Sequence, residues 1–173
     1  MGAVVGMTVV LVLRPSSAQT GPVPAVPASE PPARTTLGDA NQMTPTTRIV
    51  TQADLQQQVA ADRSVAEGLV GHWVPQLSSK RLGLTVHGVT FDYLDIMADF
   101  QALRTRFPHS VLIRSDDYSS YRQPDYWVTV LAETYPSAEA ANAWCDANGF
   151  AAEDCYAHRL SHTDAPAGNS KPR

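Results

Sequence analysis

The sequence predicts an α+β fold with the element order βαββαβ. This is the split-βαβ, ferredoxin-like sandwich, in which two helices lie on one face of a four-stranded antiparallel sheet. Four short segments rich in β-branched and aromatic residues, and two amphipathic helical patterns between them, predict it. The other sheet face is then left without helices, and an uncovered face is where such a fold can bind a ligand.

Residues 1–13, MGAVVGMTVVLVL, carry no charge, but they are shorter than the roughly 20 apolar residues of a membrane span. They are typical either of a truncated transmembrane helix or of the apolar core of a signal peptide, with Ser16–Ala18 as its small-residue cleavage site. Both interpretations place the rest of the chain outside the cytoplasmic membrane, anchored by a single span or secreted. Residues 14–48 hold seven of the 13 prolines, which predicts a disordered Pro/Ala-rich linker.

A lead-in helix is predicted over residues 49–70. Leu55 and Val59 stand at helical spacing among polar residues, and Thr51 with Asp54 forms a capping pattern. The apolar stripe of this helix is thin. We expect the helix over residues 51–70 either to pack marginally or to recruit a protein partner.

The domain proper is predicted over residues 71–162 and begins with the strand HWVPQLSS. Because proline cannot donate to a ladder, Pro75 indicates either an edge strand or a position whose donor side faces solvent. RLGLTVHGVTF follows as a loop or small hairpin. DYLDIMADFQALRTRF predicts a helix that Asp92 caps and Pro108 stops.

The second half of the domain repeats this pattern. SVLIRS and DYWVTVLA predict the second and third strands, joined by the polar aromatic turn DDYSSYRQP. SAEAANAWCDANG predicts a helix capped by Ser137 and ending before Gly149, and DCYAHRLS predicts the fourth strand. Residues 163–173 are polar, and we expect a disordered tail.

The two cysteines, Cys145 and Cys155, are ten positions apart and are expected near the end of the second helix and the start of the fourth strand. In an oxidising compartment such a pair is usually a disulfide. The alternative is a zinc site that adds His158 and His162. The cysteine spacing is wider than that of the common C-x2–4-C knuckle, which disfavours zinc.

Charge and motifs exclude several function classes. The net charge is −4 and the pI about 5.6, so the chain lacks the basic surface that nucleic acids require. No Ser-His-Asp order, glycine-rich phosphate loop or HExxH motif appears in the sequence, and we expect neither an enzyme nor a cofactor. Asp92, Asp95 and Asp99 are interpreted as a capped, solvated helix start rather than as glycosidase carboxylates.

A family resemblance rests on five stretches: GHWVPQLSSK, FPHSVLIRSDDYSSY, DYWVTV, SAEAANAWCDANG and DCYA. Through them the chain resembles the SPOR (sporulation-related repeat) domain, in the form found outside the membrane in actinobacterial proteins. The resemblance implies binding of septal peptidoglycan glycan strands, stripped of their peptide stems, along the exposed sheet face. It also implies that Gln76 and Ser79 on the first strand, and Tyr126 or Trp127 on the third, contact the glycan. Pro75, the cysteine pair and the lack of a cation on strand three depart from the family pattern.

The residues themselves also suggest a glycan site, because aromatic faces stack on sugar rings while amides and hydroxyls bond ring hydroxyls. Strand alternation separates Trp127 and Thr129 from the valines of the third strand, and we expect the valine side to be core and Trp127 to face outward. Tyr118, Tyr121 and Tyr126 of the turn form a binding rim or a plain solvated turn. The candidate ligand-binding residues are Gln76, Ser78, Ser79, Arg114, Trp127 and Thr129.

The sequence therefore predicts a non-catalytic, extracytoplasmic module that binds peptidoglycan glycan strands and is tethered to the cell envelope. The alternative is a protein-interaction or sensor domain, such as the extracytoplasmic part of a receptor-type Ser/Thr kinase system.

Overall fold

The computed structural model describes residues 49–173, so the predictions for residues 1–13 and 14–48 lie outside the described part. The fold is α+β, with three helices, a five-stranded antiparallel sheet and a two-stranded hairpin. The helices are α1 (Gln52–Glu67), α2 (Tyr93–Arg106) and α3 (Ala138–Ala147). The strands are β1 (Trp73–Lys80), β2 (Thr85–Val86), β3 (Val89–Thr90), β4 (Ser110–Arg114), β5 (Trp127–Leu131), β6 (Tyr156–Arg159) and β7 (Ser170–Lys171).

The large sheet has the strand order β4-β5-β1-β6-β7, with every neighbouring pair antiparallel. The predicted count of four strands was wrong because residues 163–173, expected to be disordered, supply β7. The guanidinium of Arg173 explains the ordering of this tail, since it donates hydrogen bonds to the carbonyls of Phe150, Ala151 and Cys155 at 2.6 to 2.9 Å. These bonds fix the tail beside β6.

Strand β1 lies in the middle of the sheet, so the edge-strand alternative predicted from Pro75 was wrong. Pro75 pairs with Ala157 of β6, and the register of β1 against β5 shifts between Gln76 and Ser78. A sheet tolerates proline where its ladder is interrupted, and Pro75 lies one residue before this shift, outside the β1–β5 pairing that begins at Gln76.

The local sequence signals for helices and turns are confirmed. Asp92 caps α2 by accepting the Asp95 backbone N–H at 2.9 Å, and Ser137 caps α3 by accepting that of Ala140 at 3.2 Å. The glycine-punctuated loop forms the hairpin β2–β3, whose turn includes Gly88 at φ +81°. Only glycine adopts such a backbone conformation without strain.

Helix α1 lies along the edge strand β4, and the expectation that it packs marginally was wrong. Leu55, Val59 and Ala66 are buried. The backbone N–H of Leu112, which belongs to this edge strand, donates to the Asp62 carboxylate at 2.9 Å. The helix therefore covers a strand edge that would otherwise expose unpaired backbone groups.

The two faces of the sheet are covered by different parts of the chain. We call the side under α2 and α3 the helix face; its buried residues include Leu112, Trp127, Thr129, Leu131 and Ala157. We call the opposite side the outer face; it buries Val74, Val111, Ile113, Val128 and Val130. Ala66 and Leu69 from the end of α1, together with Tyr118, pack on these valines. The prediction that the outer face is open was therefore wrong over this apolar half.

Candidate functional site

Beside its apolar half, the outer face carries a polar cleft of about 260 Å³. The floor is formed by β1 and β6, and the wall by the loop that connects β4 to β5. The lining residues that matter chemically are Gln76, Ser79, Tyr121, Arg122, Tyr126 and Tyr156. Amides, hydroxyls and phenol rings thus converge on one small volume.

The bulge in β1 explains why Gln76 and Ser79 line the same cleft. In a regular strand, residues three apart point to opposite faces. The register shift between Gln76 and Ser78 reverses the alternation, so that Ser79 returns to the side of Gln76. Ser78 instead points to the helix face, where its hydroxyl donates to the Asp99 carboxylate of α2 at 2.6 Å.

Two buried polar atoms in this cleft lack hydrogen-bond partners among residues 49–173. The Gln76 side chain is 2% exposed; its Nε2 donates to the Tyr156 hydroxyl at 2.6 Å, but its Oε1 is unpaired. The Tyr121 hydroxyl is also buried and unpaired. Only three such side-chain atoms occur in the described part of the chain, and the third belongs to Ser110. Since an unsatisfied buried polar group costs about 1–3 kcal/mol, these two atoms are candidate hydrogen-bonding partners for a ligand in the cleft.

The tyrosines of the cleft can offer their hydroxyl groups to a ligand. Burial raises the pKa of Tyr156, and burial raises that of Tyr121 well above its usual value. The Tyr126 hydroxyl accepts a hydrogen bond from Arg81 Nε at 3.2 Å, which leaves its own proton free for another acceptor. The Tyr121 and Tyr156 phenols are therefore neutral.

A buried histidine fixes the position of Tyr121. The His158 ring is stacked on the Tyr121 ring with 4.0 Å between the centroids and 5° between the planes. Its Nε2 lies 3.1 Å from the Ser120 hydroxyl, and its Nδ1 lies 2.8 Å from the hydroxyl of Ser170. Burial lowers the pKa of His158 to about 4, so the imidazole is neutral and joins the loop, β6 and β7 through hydrogen bonds.

Of the six predicted ligand-binding residues, only Gln76 and Ser79 line the cleft. Ser78, Trp127 and Thr129 are buried on the helix face. The prediction that Trp127 faces outward was wrong because α1 and the loop bury the valine side while α2 buries Trp127.

Arg114 also lies away from the cleft. Its guanidinium lies over the Trp127 ring at 4.4 Å. The same group pairs with the carboxylates of Asp116 at 2.5 Å and Asp125 at 3.3 Å. It holds the loop through these ion pairs and is not among the residues that line the cleft.

The aromatic turn was predicted to be either a binding rim or a plain solvated turn. Tyr121 and Tyr126 line the cleft, whereas Tyr118 is buried in the core of the outer face. Tyr156 was missed, although its alternation with the buried Ala157 on β6 would have placed it on the outer face.

A disulfide joins Cys145 and Cys155, whose Cα atoms are 5.8 Å apart. Because both sulfurs are bonded to each other, the alternative zinc site with His158 and His162 was wrong. Within residues 49–173, no group of three or more His, Cys, Asp or Glu side chains is placed to hold a metal ion.

Comparisons with protein-family models, with curated proteins and with solved structures found no match for this chain. None of the helices between residues 49 and 173 has the length and apolarity needed to cross a membrane. A function is therefore inferred from the cleft and its chemistry.

Proposed function

We propose that this chain is a non-catalytic, extracytoplasmic module that binds a glycan strand of peptidoglycan in the cleft between β1, β6 and the β4–β5 loop. The observation that carries the proposal is the pair of unpartnered buried atoms, Gln76 Oε1 and the Tyr121 hydroxyl oxygen. Sugar hydroxyls and acetamido groups both donate and accept hydrogen bonds, so they match an amide oxygen beside a phenol. The rings of Tyr126 and Tyr156 supply the apolar surface on which a sugar ring packs.

The size of the cleft limits how many sugar units of a glycan strand it can hold. Its volume of about 260 Å³ is below the ≈ 300–1,000 Å³ of pockets for drug-sized ligands. We therefore propose that one sugar unit enters the cleft while neighbouring units lie on the surface. The SPOR resemblance implied a different arrangement, in which the glycan strand lies along the exposed face of the sheet.

The topology supports the finer fold assignment that accompanies this proposal. The four strands β6-β1-β5-β4 are adjacent in that order, and α2 and α3 pack on one side of them. We propose a split-βαβ core of the SPOR type, to which α1 and β7 are additions. The disulfide supports an oxidising, extracytoplasmic location. Tethering to the membrane through residues 1–13 rests on their apolar sequence alone.

A pull-down with purified sacculi tests the proposal. We expect the full chain to bind sacculi, and to bind more after an amidase has removed the stem peptides. Tyr126→Ala removes a partly exposed ring from the cleft and should lower binding about tenfold, the usual scale for truncating an aromatic anchor. Tyr93→Ala is the matched control, because Tyr93 lies outside the cleft and its hydroxyl donates to Gln52.

If the chain binds neither the untreated nor the amidase-treated sacculi, the glycan proposal is refuted. If the chain instead retained a protein partner in a parallel pull-down, the protein-interaction or sensor alternative would replace the glycan proposal. If Tyr93→Ala and Tyr126→Ala lower sacculus binding by the same factor, the cleft is not the binding site.

A further inference from the structure

The three tyrosines of the cleft each offer a hydroxyl proton to a ligand. The Tyr156 hydroxyl accepts the Gln76 amide N–H at 2.6 Å, and the Tyr126 hydroxyl accepts the Arg81 Nε–H at 3.2 Å. Each phenol keeps its own O–H for a ligand, and the Tyr121 O–H has no partner among the described residues. Against these three donors, the buried unpaired acceptor is Gln76 Oε1. A ligand that pairs with these four groups therefore supplies more acceptors than donors.

The charge at the cleft is positive although the chain as a whole is negative. Arg122 lines the cleft, is exposed, and forms no ion pair with any residue of the described part. None of the described carboxylates lines this cleft. The net charge of the chain is −4, so a cleft with a cation and without carboxylates favours an anionic ligand locally.

The loop keeps its own carboxylates away from Arg122. Asp116 and Asp125 both pair with Arg114, at 2.5 and 3.3 Å, and the Asp125 backbone N–H donates to Asp116 at 3.0 Å. Hydrogen bonds with Arg114 and the loop backbone lower the pKa of Asp116, so its carboxylate stays charged. The loop thus pairs both of these acids with Arg114, whereas Arg122 lines the cleft without a carboxylate partner in the described part of the chain.

We infer that the sugar unit bound in the cleft carries a carboxylate, which Arg122 and the Tyr126 hydroxyl hold. This inference deepens the proposed function and rests on it. A carboxylate accepts hydrogen bonds at both oxygens and donates none, which matches the donor excess. Its bonds to arginine are charge-assisted and stronger than those between neutral groups.

The test compares two forms of one ligand. Soluble glycan strands without stem peptides, which carry only the carboxylates of their sugars, are titrated into the full chain. The same strands are then used after carbodiimide coupling has converted those carboxylates to neutral methylamides. Since neither form has a stem, a carboxylate that belongs to peptide cannot contribute. We expect the full chain to bind the methylamide form at least tenfold more weakly.

Two variants assign the effect to the cleft. Arg122→Gln should bind both forms equally, at the affinity of the parent for the methylamide form. Arg63→Gln is the matched control: it makes the same charge change at an exposed arginine of α1, which pairs with Asp117, and it should discriminate like the parent. Raising the salt concentration should weaken binding of the free carboxylate form by the parent and leave Arg122→Gln unaffected.

The outcomes separate this inference from the proposed function. If the parent binds both forms with equal affinity, the carboxylate inference is overturned while glycan binding stands. If it discriminates but Arg122→Gln discriminates equally, the assignment to this cleft is overturned. If it binds neither form, the proposed function fails and the inference fails with it.

Discussion

The helix face and the outer face of the sheet are both covered, but by structures of different kinds. On the helix face, α2 and α3 place apolar side chains over Leu112, Trp127 and Leu131, and these three residues are at most 3% exposed. The outer face is apolar beneath the end of α1. Beyond that, it becomes a cleft with unpaired buried atoms of Gln76 and Tyr121. The same strands therefore support an apolar core on both sides and carry the proposed binding cleft on the outer one.

This difference teaches where the stability of the domain resides. Cores are close-packed, so changes on the helix face are costly. A ligand cleft keeps polar groups unpaired at some cost in stability, because they pair only when the ligand binds. We expect substitutions on the helix face to change folding, and small substitutions in the cleft to change binding.

The largest effect is expected from Phe100→Ala on α2. Phe100 is 2% exposed and packs among Ile96, Leu112 and Trp127. Truncating a buried phenylalanine leaves a cavity and typically costs about 3–5 kcal/mol. Urea denaturation followed by tryptophan fluorescence measures the free energy of unfolding. A loss below about 1 kcal/mol would contradict the close packing described for the helix face.

The next effect concerns the buried His158 below the cleft. Burial lowers its pKa to about 4 from the usual 6.5, so between these values the unfolded chain binds a proton that the folded chain does not. The stability that His158 contributes is complete above pH 6.5 and falls as the pH drops toward 4. At and below pH 4, the pKa shift of His158 lowers the free energy of unfolding by about 3 kcal/mol relative to neutral pH.

The variant His158→Gln isolates this effect from other titrating groups. Its amide can hydrogen-bond to Ser120 and Ser170 but does not titrate. We expect the difference in unfolding free energy between parent and variant to decrease steadily as the pH drops from 7 to 4. A difference that is constant over this range would show that the imidazole is solvated in the folded protein.

Local sequence signals predicted most of the fold. The caps at Asp92 and Ser137, the hairpin and the disulfide each depend on residues near one another in the chain or at a readable spacing. The burial of Trp127 did not follow from sequence, because both faces of β5 are apolar and alternation alone does not say which helices cover which side.

The candidate site was predicted only in part, for a specific reason. A bulge between Gln76 and Ser78 leaves no clear sequence mark, yet it decides which of the polar residues on β1 share a face. The docking of α1 over the edge of β4 depends on Asp62, which reaches a backbone N–H 50 residues away. Contacts of this range arise from the tertiary fold, so the sequence pattern indicated a thin, marginal helix instead.

The most direct test of the cleft is Tyr121→Phe, which removes one buried hydroxyl without a hydrogen-bond partner in the described part of the protein. Because no bond within the protein is lost, the melting temperature should stay unchanged or rise slightly. Isothermal titration with stem-free glycan strands should show affinity about tenfold weaker than that of the parent, the value of one hydrogen bond to the ligand. Unchanged affinity, together with unchanged stability, would contradict the assignment of this cleft as the glycan site.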